Sequence, residues 1–315
     1  MVYLPPYIFT RAHRAGLFTL IHWYCIWGIL LFGFHSSLVF ADSIENSSNS
    51  KARIVYYPGS DSNYNNDSRN HFYIELLKKA LNASGEQYQV KELGRGFSAT
   101  RQFQLIQRGD LSVAWNFSDP ERDPSFRQIP FPIDRGLMGW RLLLVRDNQQ
   151  AAFSEITQIS ELAHLRCGQG QAWQDTKILQ HNELSVSPTP SYEGLFKMLQ
   201  TGHIDYLPRS ILEIYSELNN HQHLNLAIDK HLMIYYPTAF YYFVNKENAE
   251  LANAIERGLQ TLYARGEFDK LFWQYHGDSI TQANIKNRKI LKLNNPFLSD
   301  ENRNNLYRYW LPLPP

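Results

Sequence analysis

Between residues 52 and 278 the period of apolar positions switches back and forth between two and about 3.6. Arg53-Ile54-Val55-Tyr56-Tyr57 predicts a strand, ended by Pro58-Gly59. Ser60–Asn70 is a loop rich in Asn, Asp and Ser. His71–Ala83 predicts a helix, with Phe72, Leu76, Ala80 and Ala83 on one face and Gly85 just past its end. A strand at Gln87–Leu93, a helix at Ala99–Arg108 closed by Gly109, and a strand at Leu111–Trp115 follow. The order then returns. Leu165–Gly168 is a strand, Asp175–His181 a helix, Leu184–Pro188 a strand, Tyr192–Gln200 a helix closed by Gly202, and Ile204–Leu207 a strand. The segments ending at Leu111 and Ile204 echo each other as helix end, glycine turn and strand. This alternation predicts two α/β lobes built alike, with mostly parallel sheets.

Two longer apolar runs, Leu137–Val145 and Tyr235–Val244, suit a chain that crosses into a second lobe and returns. Ala249–Arg265 predicts a helix with Leu251, Ile255, Leu259 and Leu262 in register, and Gly266 separates it from Phe268–Tyr275. The tail, Ile280–Pro315, is expected to be an irregular strap on the first lobe, held by Leu291, Leu293, Phe297 and Trp310. A partner-binding extension is the alternative.

The N-terminus has a different pattern. Arg11 and Arg14 precede an apolar run from Leu17 to Phe34, and Val39-Phe40-Ala41 closes it. That order predicts a secretory signal cleaved after Ala41. An uncleaved membrane anchor is the alternative, because the run is long enough to span a bilayer. Residues 42–51 form a polar, flexible lead-in.

A length of 315 residues suggests about two domains, and 43% hydrophobic with 19% charged residues is a globular composition. Lys+Arg is 31 against Asp+Glu 30, without the basic excess of a nucleic-acid binder. Aromatics at 14% suit aromatic-lined pockets as well as cores. Two cysteines exclude a disulfide framework, and Cys167, within an apolar strand, reads as a buried inert thiol. G-x-S-x-G, H-E-x-x-H and P-loop patterns are absent. His221-Gln-His223 falls in an Asn/His stretch and reads as a solvated turn rather than a metal site. No catalytic group, metal or cofactor is expected.

Four segments together carry a resemblance over residues 52–278. They are Gly109-Asp-Leu-Ser-Val-Ala-Trp115 with Asp119-Pro-Glu-Arg122; Ser160-Glu-Leu with Gly168-Gln-Gly-Gln-Ala-Trp173; Leu199-Gln-Thr-Gly-His-Ile-Asp205; and Leu262-Tyr-Ala-Arg-Gly-Glu-Phe-Asp-Lys-Leu271. In order and spacing they resemble the type 2 periplasmic solute-binding proteins of family 3, the amino-acid-type binding subunits of ABC transporters. The resemblance implies an α/β, two-lobe periplasmic binding protein type II fold with two hinge strands. It divides the chain into lobe 1 (52–138 and 240–279), lobe 2 (139–239) and an extension (280–315) on lobe 1.

The same resemblance places Arg122 as the guanidinium that grips a ligand's anionic group. With it, Tyr57, Trp115, Ser118 and Asp119 of lobe 1 would face Trp173, Asp175, Thr176, Tyr192 and Arg209 of lobe 2. Asp175 or Thr176 can cap the helix that follows the glycine-rich loop. The family's usual Asp for a ligand ammonium is replaced by Ser210, beside Arg209, which favours an anionic or neutral polar ligand. The expected protein is a monomeric periplasmic binder that traps a small ligand and presents it to an ABC permease or a sensor kinase. A periplasmic sensor without a transporter, or an enzyme of the same fold, are the alternatives.

Overall fold

From residue 52 the chain alternates strands and helices as its pattern requires. The structure, a computed structural model, describes residues 52–59, 70–94 and 96–310, all within the unit Asn49–Pro315. The expected signal sequence, the lead-in and residues 60–69 lie outside the described residues. Among the described residues no helix is long and apolar enough to cross a membrane.

The first passage through lobe 1 comprises β1 (Arg53–Pro58), α1 (His71–Ala83), β2 (Tyr88–Gly94), α2 (Ala99–Arg108), β3 (Val113–Phe117) and β4 (Phe126–Gln128). Lobe 2 begins with β5 (Trp140–Arg146), α3 (Gln150–Ser154), α4 (Ile159–Leu162), β6 (Arg166–Gly170) and α5 (Gln174–His181). It continues with β7 (Ser185–Thr189), α6 (Tyr192–Gln200), β8 (Tyr206–Ser210), α7 (Ile214–Asn220), β9 (Leu226–Ile228) and β10 (Leu232–Tyr235). The chain returns as β11 (Phe240–Asn245), α8 (Ala249–Ala264) and α9 (Glu267–Ala283), and ends with β12 (Lys289–Lys292) and α10 (Asp300–Arg308).

In lobe 1, β1 runs parallel to β2, and the Ser112 amide donates to the Tyr56 carbonyl at 2.9 Å just before β3. β11 pairs antiparallel with β3 and β4. The apolar face of α1 lies against α8 so closely that a Cβ on Gly258 would sit 1.8 Å from the Ala80 carbonyl oxygen. The lobe 2 sheet runs β12-β10-β5-β8-β6-β7, with β9 beside β5. The sheets are not mostly parallel: lobe 1 has a parallel pair and an antiparallel three-stranded sheet, and the lobe 2 sheet is mixed. β5 is antiparallel to β8, β9 and β10, because β5 carries the chain into lobe 2 and β10 carries it out.

The two apolar runs at the hinge do not form continuous crossing strands. Leu137–Gly139 is a single 3-10 turn, and β5 starts only inside the lobe 2 sheet. Tyr235–Val244 divides between β10 and β11, with residues 236–239 making the crossing. The crossings touch: the Tyr236 amide donates to the Gly139 carbonyl at 3.2 Å. A Cβ on Gly139 would lie 2.1 Å from the Tyr236 carbonyl oxygen, so only glycine fits there.

The tail is not an irregular strap on lobe 1 alone. β12 adds parallel to β10 at the edge of the lobe 2 sheet, and Leu291, Leu293 and Phe297 pack with that lobe's core. α10, capped by Ser299, then returns to lobe 1, where Leu298 and Leu306 join Phe103, Ile106 and Phe243. Trp310 sits 5.9 Å from Tyr235. The tail therefore makes two further crossings between the lobes.

Cys167 is buried in β6, and burial pushes its thiol up, which leaves it protonated. His221 is not in a solvated turn. It is buried, stacked 3.6 Å from the Phe196 ring, with its Nε2 3.1 Å from a Glu193 carboxylate oxygen.

Candidate functional site

A cleft of about 660 Å³ opens between the lobes, within the range of small-molecule sites. Lobe 1 contributes the end of β1, one face of α2, the end of β3 and the turn around Asp119–Arg122. Lobe 2 contributes Arg141 from β5, residues 172–175 before and within α5, Tyr192 at the start of α6, Arg209 from β8, and Glu213. Met138 of the first crossing and Phe240, where β11 begins after the second, line the cleft at the hinge.

Seven of the ten residues expected from the sequence line this cleft: Trp115, Asp119, Arg122, Trp173, Asp175, Tyr192 and Arg209. Tyr57, Ser118 and Thr176 are not among its lining. Pro58 and Gly59 come to the cleft in place of Tyr57, which is buried in the lobe 1 core. Ser118 donates to Asp123 at 2.8 Å and accepts from Asn302 of α10. Thr176 donates to the Gly170 carbonyl at 2.8 Å.

Arg122 is largely engaged within its own lobe. One of its Nη groups donates to the Phe117 carbonyl and, at 2.8 Å, to Asp123. Its guanidinium lies 4.2 Å from the Phe103 ring centroid. Only its Nε is buried without a partner among the described residues. Asp119 turns its carboxylate back to the amides of Glu121 and Arg122, at 2.9 and 3.4 Å, and so fixes the turn. Trp115 donates its indole N–H to Asn70 at 3.1 Å.

The lobe 2 wall is a buried charge network. Arg141, 1% exposed, pairs with Asp175 and stands 3.7 Å from Glu213. Asp175 also accepts from the Tyr236 hydroxyl. Asp175 does not cap α5: Trp173 occupies the N-cap position without a side-chain bond. Arg209 donates from Nε and Nη2 to the two oxygens of Glu217, both at 2.7 Å, and reaches Glu213 at 3.1 Å. The Tyr192 hydroxyl donates to the same Glu217 at 2.7 Å. Trp173 lies 4.6 Å from the Arg209 guanidinium carbon, a cation–π stack. Burial alone would lower the pKa of both arginines, but their carboxylate neighbours reverse this and hold each above the ordinary value. The Ser210 hydroxyl points to the hinge, donating to the Leu137 carbonyl at 3.4 Å.

Arg141, Glu213 and Glu217 are the site residues that sequence reasoning missed. Arg141 stands alone in the run Leu137–Val145, and a cation inside such a strand requires a buried carboxylate partner. That was the available signal. The cleft as a whole is charge-balanced: Arg122, Arg141 and Arg209 face Asp119, Asp175 and Glu213.

No family model and no curated protein matches the sequence. Solved structures do match. A probable amino-acid ABC transporter extracellular-binding protein from Bacillus subtilis gives a TM-score of 0.57 at 14% identity, over 72% of this chain and 99% of its own. The fold is the two-lobe type II periplasmic binding protein fold. An ancestral arginine-binding protein bound to arginine gives 0.52 at 16% identity, over 70% of this chain and 97% of its own. A histidine kinase sensor domain with similarity to periplasmic binding proteins gives 0.52 at 14% identity, over 72% and 96%. All three are named for binding or sensing. In this fold the described cleft lies between the two lobes, at the hinge crossings 136–139 and 236–239.

Proposed function

We propose that the protein is an exported solute-binding protein that closes its lobes reversibly on one small polar ligand, without turnover. The observation that carries this reading is the interlobe cleft, in which three guanidiniums and three carboxylates face each other between aromatic walls. Such a wall suits a dipolar ligand, one with an anionic group and a hydrogen-bond-donating or cationic group. Arg209 adds no free positive charge to repel an ammonium, because Glu213 and Glu217 neutralise it. A purely anionic ligand is the second reading. It is favoured by the Nε atoms of Arg122 and Arg141, both buried without partners on the cleft wall. Presentation to a transporter permease or to a sensor kinase fits the two kinds of neighbour in this fold.

A thermal-shift screen of the chain with amino acids, dicarboxylates, sugars, phosphorylated metabolites and aromatic acids tests the reading. A ligand at about 100 times its Kd adds roughly 2.7 kcal/mol to apparent stability. A dipolar hit supports the first reading, and a purely anionic hit supports the second. Consumption of the ligand during the assay overturns both.

A further inference from the structure

A second cavity of about 410 Å³ adjoins the main cleft and shares Asn70, Met138, Glu213 and Phe240 with it. We propose that it is a separate site for a small uncharged aromatic alcohol. Both lobes build it: Phe72 and Tyr73 of α1 and residues 274–279 of α9 from one side, and the turn into α7, Leu212–Ser216, from the other.

Two buried side-chain polar atoms without a hydrogen-bond partner among the described residues, Nε2 of His276 and the hydroxyl of Tyr215, belong to its lining and not to that of the main cleft. Buried polar groups are normally satisfied, so this pair at one cavity marks groups awaiting a partner. Glu213 already faces Arg209 at 3.1 Å, which leaves the imidazole and the phenol as the neutral pair. Burial drives the His276 imidazole down to about 3, so it is uncharged near neutrality, and burial raises Tyr215, so it keeps its proton.

A neutral imidazole nitrogen either donates or accepts according to its tautomer, and so does a phenol. A ligand hydroxyl, which does both, pairs with either state. A charged ligand group would lose its hydration against the Phe72, Tyr73 and Phe240 walls. The body of the ligand must therefore be apolar, and the aromatic walls favour a ring. The proposal is independent of what the main cleft holds.

The test uses the full chain and 2-naphthol, with naphthalene as the analogue lacking the hydroxyl. We expect saturable binding of 2-naphthol at one site, at least tenfold tighter than naphthalene. His276→Phe should erase most of that preference. Ser279→Trp should fill the cavity and abolish binding, with Gln274→Trp as the second variant if the first fails to fold. Trp173→Ala, which removes a side chain that lines the main cleft and not this cavity, should leave the affinity within about twofold. No saturable binding, equal affinity for both probes, or binding that survives a folded cavity-filling variant would overturn the proposal. Loss in Trp173→Ala would place the probe in the main cleft and overturn it as well.

Discussion

Replacing Glu217 by Gln should unfold the protein much more easily, and the structure sets the size of the effect. The Glu217 carboxylate is buried and accepts three hydrogen bonds, two from Arg209 and one from Tyr192, all at 2.7 Å. Glutamine offers one oxygen and turns an NH2 group toward a donor. Arg209 keeps its charge but, among the described residues, is left with Glu213 at 3.1 Å as its carboxylate neighbour. Removing one partner of a buried ion pair costs about 3–5 kcal/mol, and the surviving Glu213 contact puts this case near the lower figure. At about 2–4 °C per kcal/mol for a chain of this size, the midpoint should fall by roughly 6–12 °C. Thermal and urea unfolding of wild type and variant would measure it. Arg209→Leu combined with Glu217→Leu should recover most of the loss, because the stranded charge is then gone. A single variant within about 1 kcal/mol of wild type, or a double variant no better than the single, would show that Arg209 is not neutralised as described.

Gly139→Ala should destabilise by about 1–3 kcal/mol in denaturant titrations, since its Cβ would overlap the Tyr236 carbonyl across the hinge. An unchanged midpoint would mean that the crossings do not touch. Burial raises the Asp134 carboxyl to about 6, although the Gly136 and Met138 amides donate to it at 3.1 and 2.9 Å. Folding therefore favours its neutral form. The contribution is full below the unfolded value near 4 and is lost as pH rises through about 6, a change of roughly 3 kcal/mol. Asp134→Asn should flatten the decline of stability between pH ~4 and ~7, and an identical slope in both proteins would count against this. Leu306→Ala should cost about 2–5 kcal/mol if α10 is part of the lobe 1 core, and a near-neutral effect would show a loosely attached tail.

The elements legible in the sequence are those with local signals. α1, α2 and α6 keep the expected limits because amphipathic periodicity coincides with end signals: Ser98 and Ser191 accept from the first-turn amides, and Gly109 closes α2 in the left-handed region. β12 was hidden because four residues carry no readable period, and its partner β10 is remote in sequence. The cap expected from Asp175 failed because a buried arginine from β5 is a stronger partner than the backbone amides of its own helix. His221 sits in a polar stretch yet packs flat on Phe196, a tertiary contact that composition does not encode. The site was legible in outline, with seven of the ten expected residues on the cleft wall. Its charge balance was not, because Arg141, Glu213 and Glu217 come from elements whose convergence only the fold determines.

The most direct measurement is calorimetric titration of the full chain with the strongest hit of the ligand screen, beside Arg141→Met and Trp173→Ala. Capture between the lobes requires one reversible site per chain, unaltered ligand recovered afterwards, and an affinity at least tenfold weaker in each variant. Affinity unchanged in both variants, or ligand recovered as product, would contradict capture in the interlobe cleft.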